Sequence, residues 1–162
     1  MPSSPLHLEI LAWRKAERRR LIDARLAIGA EVRRRYSTEI AEQLSEFIGV
    51  LSGRTVSAYW PFRGEPDLRP WIQGLTDLGA RFALPVVVKK SLPLIFRIWK
   101  HGDRLLPGIW NIPVPADGVE VVPDIVIAPV VGFDNACYRL GYGGGFFDRT
   151  LAAFTRASSN HV

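Results

Sequence analysis

Asp124-Ile-Val-Ile-Ala-Pro-Val-Val131 and, shortly after it, Arg139-Leu-Gly-Tyr-Gly-Gly-Gly-Phe-Phe-Asp-Arg149 decide how the chain folds. The first is a near-continuous apolar run of the kind found in strands buried on both faces of a sheet. The second places four glycines between Gly141 and Gly145, brackets them with Arg139 and Arg149, and adds Asp148. Glycines let successive backbone N–H groups turn onto an anion, and arginines supply a donor fork matched to phosphate oxygens. Phe146 to Phe154 can continue as a helix. Strand, glycine loop and helix, in that order, aim a helix N-terminus at whatever the loop holds. A tight glycine turn without a ligand is the alternative reading, and the bracketing charges argue against it.

Working outward, residues 6 to 28 read as a helix with Leu21, Ile22 and Leu26 on one face and Gly29 as its break. Val32, Tyr36, Ile40, Leu44 and Ile48 recur every four residues, giving a second helix that ends at Gly49. Arg54 to Trp60 is β-branched and aromatic, hence a strand stopped by Pro61. The loop Pro61-Phe-Arg-Gly-Glu-Pro66 leads to a helix over about 68 to 78, with Pro70 in its first turn and Gly79 after its end. Strands follow at 81 to 88 and 92 to 99. Gly108 to Pro115 is limited to a short extended piece, because Pro113 and Pro115 remove donors. Asp124 to Val131 is expected to be the most deeply buried strand, and Ala157 to Val162 a frayed polar tail. Strands alternating with helices predict an α/β fold, a mostly parallel sheet covered by helices on both faces, in a single domain spanning residues 1–162. In such folds ligands gather at the C-terminal ends of strands, where the loops 61 to 66 and 133 to 145 are expected to face each other.

The 162 residues are 48% apolar, enough for one core without staples. Cys137 is the only cysteine, so no intrachain disulfide can form, and a reducing compartment fits. No basic start followed by an apolar stretch marks a signal peptide, and the longest apolar run is far short of the roughly 20 residues that span a bilayer. A cytoplasmic protein is the expectation, with no membrane partner. The net charge of +5 points to an anionic partner. Arg14, Lys15, Arg18, Arg19 and Arg20 crowd the first helix, although a helical charge run also reads as a solvated face. A nucleic-acid-binding module is disfavoured, because Glu9, Glu17, Asp23, Glu31, Glu39, Glu42 and Glu46 interrupt the basic helices. His7, His101 and His161 lack ligand spacing, and Cys137 has no nearby histidine in sequence. The glycine loop matches neither a Walker A motif nor a dinucleotide fingerprint.

Phe133-Asp134 with Arg139 to Arg149 resembles the signature of the 5-formyltetrahydrofolate cyclo-ligases, also called 5,10-methenyltetrahydrofolate synthetases. Lys15 and Arg19 resemble the family's Lys-x-x-x-Arg element, Tyr59-Trp-Pro with Glu65 its first strand and acidic loop, and Trp110-Asn-Ile-Pro-Val-Pro115 its tryptophan-proline segment. The resemblance covers about residues 10 to 154, with 155 to 162 as a tail. It implies a fold related to sugar-phosphate isomerase and coenzyme A transferase domains. It also implies ATP-dependent, Mg²⁺-assisted conversion of 5-formyltetrahydrofolate to 5,10-methenyltetrahydrofolate. In that reaction the formyl oxygen is phosphorylated and the second folate nitrogen closes the ring as phosphate leaves.

Carried over by position, Lys15, Arg19, Arg139 and the segment Leu140, Gly141, Tyr142, Gly143, Gly144, Gly145, Phe146 and Phe147 would hold ATP. Arg139 and Asp148 would be the catalytic charges, with Asp148 the Mg²⁺ ligand. Trp60, Glu65, Trp110 and Tyr142 would bind the reduced folate, Glu65 at the polar pterin edge. Phe62 would add an apolar wall. Trp60, Phe62 and Trp110 each also read as core aromatics, and Arg149 reads either as charge for the nucleotide or as a partner of Asp148. Phe146-Phe147 stand where the family usually has a Tyr pair, and Gly144 where some members carry a lysine. Members continue with further sheet strands and a second acidic residue near the metal, so the resemblance implies a sheet lacking its usual C-terminal strands and an incomplete metal site. A monomer is expected. The competing expectation to an active ligase is a catalytically inactive nucleotide- or folate-binding relative.

Overall fold

The computed structural model describes residues 5–159. Its helices are α1 (Pro5–Leu26), α2 (Ala30–Ile48), α3 (Arg69–Asp77) and α4 (Phe146–Ser159). The strands are β1 (Thr55–Ser57), β2 (Arg81–Val86), β3 (Ile95–Ile98), β4 (Leu105–Pro107), β5 (Pro113–Pro115), β6 (Glu120–Val121), β7 (Ile125–Val126), β8 (Gly132–Phe133) and β9 (Arg139–Leu140). One 3-10 turn, Ile109–Asn111, joins β4 to β5. Among the described residues no helix is long and apolar enough to cross a membrane.

The sheet is mixed rather than mostly parallel. Its order is β6-β3-β2-β1-β7, with β1 parallel to β2 and β7 but β3 antiparallel to both β2 and β6. The cause is connection length. The chain from β2 to β3 spans only residues 87–94, too short for the crossover of a dozen or more residues that a parallel pair needs.

The apolar run at 124–131 also differs from expectation. Only Ile125 and Val126 form a strand, half-buried at the sheet edge and paired with β1 alone. Pro123 and Pro129 bracket the run and cannot donate to a ladder, which keeps it short. The most deeply buried strand is β1, all of whose residues are buried. Asp124 ties the edge down, its carboxylate accepting from the Thr55 amide at 2.7 Å.

Alternation along β2 divides the core between the two faces. Phe82 and Leu84 join Val56, Leu68, Ile72 and Trp99 on the side covered by α2 and α3, where Ile40, Leu44 and Ile48 pack. Ala83 points the other way, to Phe96 and Leu94, with Phe146, Phe147 and Phe154 of α4 against them. Helices therefore cover both faces, as the alternation predicts. Tyr36 departs from the α2 stripe: it is exposed, with the Arg35 guanidinium 5.6 Å from its ring. Helix α4 runs to Ser159, so the expected tail is helical through that residue, and Asn160, His161 and Val162 lie outside the described residues.

Helix α1 buries none of its residues. It lies across the cavity-bearing end of the molecule, with Leu21 pressed onto bare backbone. A Cβ at Gly132 would come within 2.6 Å of Leu21 Cδ1, so a side chain there would have to displace Leu21.

Candidate active site

The loops after β1 and β9 meet, as expected, around a cavity of about 560 Å³. On one wall the glycine loop leads from β9 into α4. Gly143 adopts φ +95, a conformation costly for any residue with a Cβ. Arg18 of α1 closes over this point, its Nε donating to the Gly141 carbonyl at 2.7 Å. Arg139 forms an ion pair with Asp148 and lies 5.8 Å from the Phe147 ring centroid. Arg149 is not the partner of Asp148, whose ion pair is with Arg139. It donates to the carbonyls of Gly144 at 2.9 Å and Lys90 at 3.0 Å and covers the Phe146 ring, which fixes the glycine loop to the β2–β3 connection.

The opposite wall is the 61–66 loop. Arg63 (φ 49) and Gly64 (φ 76) turn the chain back so that the Glu65 carboxylate accepts from its own loop's Phe62 amide at 2.8 Å. Glu65 is 5% exposed. Its other oxygen accepts from the Tyr142 hydroxyl at 2.9 Å, which joins the two loops directly. Burial pushes the Glu65 carboxyl above the usual carboxylate range, while the Phe62 amide, the Tyr142 hydroxyl and the Arg25 charge pull it back. The Tyr142 phenol is raised to about 12, first by burial and then by the adjacent carboxylate.

Aromatic side chains form the rest of the cavity. Phe62 and Trp110 lie nearly parallel, 6.5 Å between centroids and 9° between planes. Phe146 meets Trp110 edge-on at 6.2 Å. Trp110 and Asn111 sit at φ 56 and 59, left-handed positions that non-glycine residues seldom occupy. Such strain persists only where surroundings over-determine it, and here it leaves Trp110 half-exposed over the cavity rather than in the core. Trp60 borders both the cavity and the core. It lines the cavity while its ring meets Trp99 edge-on at 5.8 Å and Arg69 at 4.8 Å.

Every expected site residue from Arg139 to Asp148, together with Trp60, Phe62, Glu65 and Trp110, lines this cavity. Lys15 and Arg19 do not. Both are exposed, and Arg19 lies 4.0 Å from Asp23 on the outer side of α1. The helical face that reaches the cavity carries Leu11, Arg14 and Arg18. Arg25, which the sequence reading did not single out, donates to Arg63 O at 3.0 Å, Val130 O at 3.0 Å and the Tyr142 hydroxyl at 2.5 Å. A signal for these residues was available: 11, 14, 18, 21 and 25 follow the alternating three- and four-residue spacing of a single helical face, mixing leucine with arginine.

Among the described residues no group of three or more His, Cys, Asp and Glu could cage a metal ion. Asp148 stands as a lone, exposed carboxylate at the cavity rim. One carboxylate does suit Mg²⁺ carried by phosphates, since that ion keeps waters and takes few protein ligands.

The family model for the 5-formyltetrahydrofolate cyclo-ligase family matches residues 10–162. A 5-formyltetrahydrofolate cyclo-ligase of Escherichia coli K12 is 34% identical over 133 residues, 78% of this chain and 73% of that one. One from Mycolicibacterium smegmatis is 36% identical over 109 residues, 62% of this chain and 56% of that one. The solved 5,10-methenyltetrahydrofolate synthetase of Aquifex aeolicus superposes with a TM-score of 0.74 at 27% identity, covering 86% of this chain and 72% of that one. The synthetase of Mycoplasma pneumoniae superposes at 0.68 and 22% identity, covering 86% and 77%, and supports the fold alone. With its glycine loop, acidic loop and aromatic wall assembled on one cavity, this chain belongs to the 5-formyltetrahydrofolate cyclo-ligase family.

Proposed function

We propose that this chain converts 5-formyltetrahydrofolate to 5,10-methenyltetrahydrofolate with consumption of ATP. The observation that carries the reading is the Tyr142–Glu65 hydrogen bond at 2.9 Å, which brings a phosphate-type loop and a buried carboxylate into one aromatic-walled cavity. The formyl oxygen attacks the terminal phosphorus of ATP and ADP leaves. The second folate nitrogen then attacks the activated carbon, closing the ring as phosphate departs with the former formyl oxygen. Phosphoryl transfer of this kind needs positioning and charge neutralisation more than a covalent catalyst.

In this reading the backbone from Leu140 to Gly145 and the N-terminus of α4 at Phe146 and Phe147 hold the triphosphate. Arg139 neutralises charge on it. Arg14 and Arg18, one turn apart and both on the cavity, take the phosphate-facing place expected of Lys15 and Arg19. Asp148 would hold Mg²⁺ bound to the nucleotide, exchanging its Arg139 partner for the ion; the ion would offset phosphate charge. Glu65 receives the amino and ring N–H donors of the pterin, and Phe62, Trp110 and Trp60 flank the flat ring system. Four arginines of α1 and α2 pair with acids on their own helix, Arg19 with Asp23, Arg20 with Glu17, Arg34 with Glu31 and Arg35 with Glu39, which weighs against a nucleic-acid surface. The fold reads as akin to sugar-phosphate isomerase and coenzyme A transferase domains. A monomer acting in the cytoplasm, where ATP is at hand, completes this reading.

The test is direct. Adding 5-formyltetrahydrofolate, Mg²⁺ and ATP should generate methenyltetrahydrofolate absorbance at a rate set by protein concentration. Folded protein whose melting temperature rises with Mg²⁺-ATP but which gives no turnover would instead be an inactive binding relative.

A further inference from the structure

The carboxylate assigned to the pterin does not stand alone. Glu65 accepts from the Tyr142 hydroxyl, and that hydroxyl accepts from Arg25 Nη2, so a helix, the glycine loop and the acidic loop are joined through one phenol. Arg25 also donates from Nε to Arg63 O, within the acidic loop, and from Nη1 to Val130 O, just before β8. One guanidinium therefore pins α1 to three segments bordering the cavity. A lysine could not reproduce this, having one point of charge where three diverging donors are used.

We propose that Arg25 is a positioning residue for folate recognition: acting through the Tyr142 hydroxyl, it orients the Glu65 carboxylate and holds it as an acceptor for the substrate's N–H donors. This rests on the folate reading above. A buried carboxylate with only neutral donors gains a proton readily and would then present an O–H to a substrate edge that also donates. A cation behind the phenol polarises the Tyr142 O–H toward Glu65 and opposes that protonation. The other titratable or charged groups near Glu65 are few. Tyr59 comes from the end of β1, its phenol donating to Pro66 O at 3.1 Å. Asp67 follows in the same loop and is paired with Arg69 at 2.7 Å. Arg33 of α2 approaches from the side of Gly64. Arg63 turns its guanidinium onto the Phe62 ring. The Glu65 carboxylate takes its hydrogen bonds from the Phe62 amide and the Tyr142 hydroxyl instead, so the cation tied to it is Arg25, through Tyr142.

Three variants of the full chain, Arg25→Met, Tyr142→Phe and their combination, separate this role from a purely structural one. Tyr142→Phe removes only the hydroxyl and leaves the two Arg25 carbonyl bonds in place. In ligand-free protein, carbon NMR of the Glu65 carboxyl should show each single variant titrating at higher pH than the parent, and the double variant shifting less than the sum of the two. With substrates, KM for 5-formyltetrahydrofolate should rise about tenfold in each single variant, the range of a lost charge-assisted hydrogen bond, while KM for ATP changes less than about twofold. An unchanged Glu65 titration in both variants overturns the proposal whatever the activity. So does an Arg25→Met variant that raises both KM values equally with a lower melting temperature, which would make Arg25 a staple. If the Glu65 shifts are seen but the parent protein neither binds nor turns over the folate, the recognition role falls together with the folate reading, and the coupling alone survives.

Discussion

The glycine loop and helix α1 meet at one side of the cavity and are built by opposite means. In the proposed reading the loop would act through backbone: the groups offered to an anion are amides, and what the sequence must supply is the absence of side chains. Helix α1 acts through side chains, and a helix turns about 100° per residue, so a shift of one position carries a group from the cavity to solvent. Arg139, Gly141 to Gly145 and Asp148 are accordingly where the motif puts them, while Lys15 and Arg19 miss the cavity and Arg14 and Arg18, one residue earlier in each case, line it. A motif made of glycines fixes geometry by itself. A motif made of cations on a helix fixes geometry only once the docking face is known.

The sharpest way to break this contrast is to exchange the pairs. Arg18→Ala should raise KM for ATP about 10- to 100-fold, as expected for a charge-assisted contact, whereas Lys15→Ala and Arg19→Ala should stay within about twofold. Steady-state kinetics decides it, and the reverse ranking would restore the outer face.

On the opposite wall Glu65→Gln should raise KM for the folate about tenfold, leaving ATP little changed. It should also stabilise the fold near neutral pH. The Glu65 pKa is raised by burial, so the native state holds its proton more tightly than the unfolded chain, and native stability falls as pH rises through the native value. Removing the charge removes that loss, and calorimetry should show a melting temperature higher by about 2–4 °C for each kcal/mol recovered, at pH 7 but not at pH 4.

The smallest effect is expected at the strained aromatic. Trp110→Gly should raise KM for the folate about 2- to 10-fold through lost ring contact, with no fall in melting temperature, because glycine accepts φ 56 without strain. A clear loss of stability would mark Trp110 as a packing residue after all.

Much of this was legible in the chain itself. Long periodic helices and the β-branched strands declare themselves, and the expected boundaries of α1, α2, α3 and β2 fall within a few residues of those observed. What stayed hidden depends on contacts distant in sequence. Periodicity says nothing of strand direction, so the antiparallel β2–β3 pair followed only from a short connection whose ends were not yet known. An apolar run such as 124–131 reads as central because residues are apolar, yet its edge place is set by which neighbours it lacks. The hairpins β4–β5 and β8–β9 are too brief to leave a period at all. Within the site, Glu65 and Trp110 were readable by resemblance, but Arg25 was one cation among many until the fold brought it to Tyr142.

Helix α1 contributes Leu11, Arg14, Arg18 and Arg25 to the site while burying none of its residues. It is held by arginine-to-carbonyl bonds and by partly buried side chains such as Leu21 and Ile22, so it should open at lower free energy than the sheet and exchange its amide protons sooner. An element held that lightly is tightened by whatever binds beneath it. ATP against Arg14 and Arg18 and folate beside the Arg25–Tyr142–Glu65 chain would each offset the ordering of the same helix, and the second to arrive would bind the more firmly for the first.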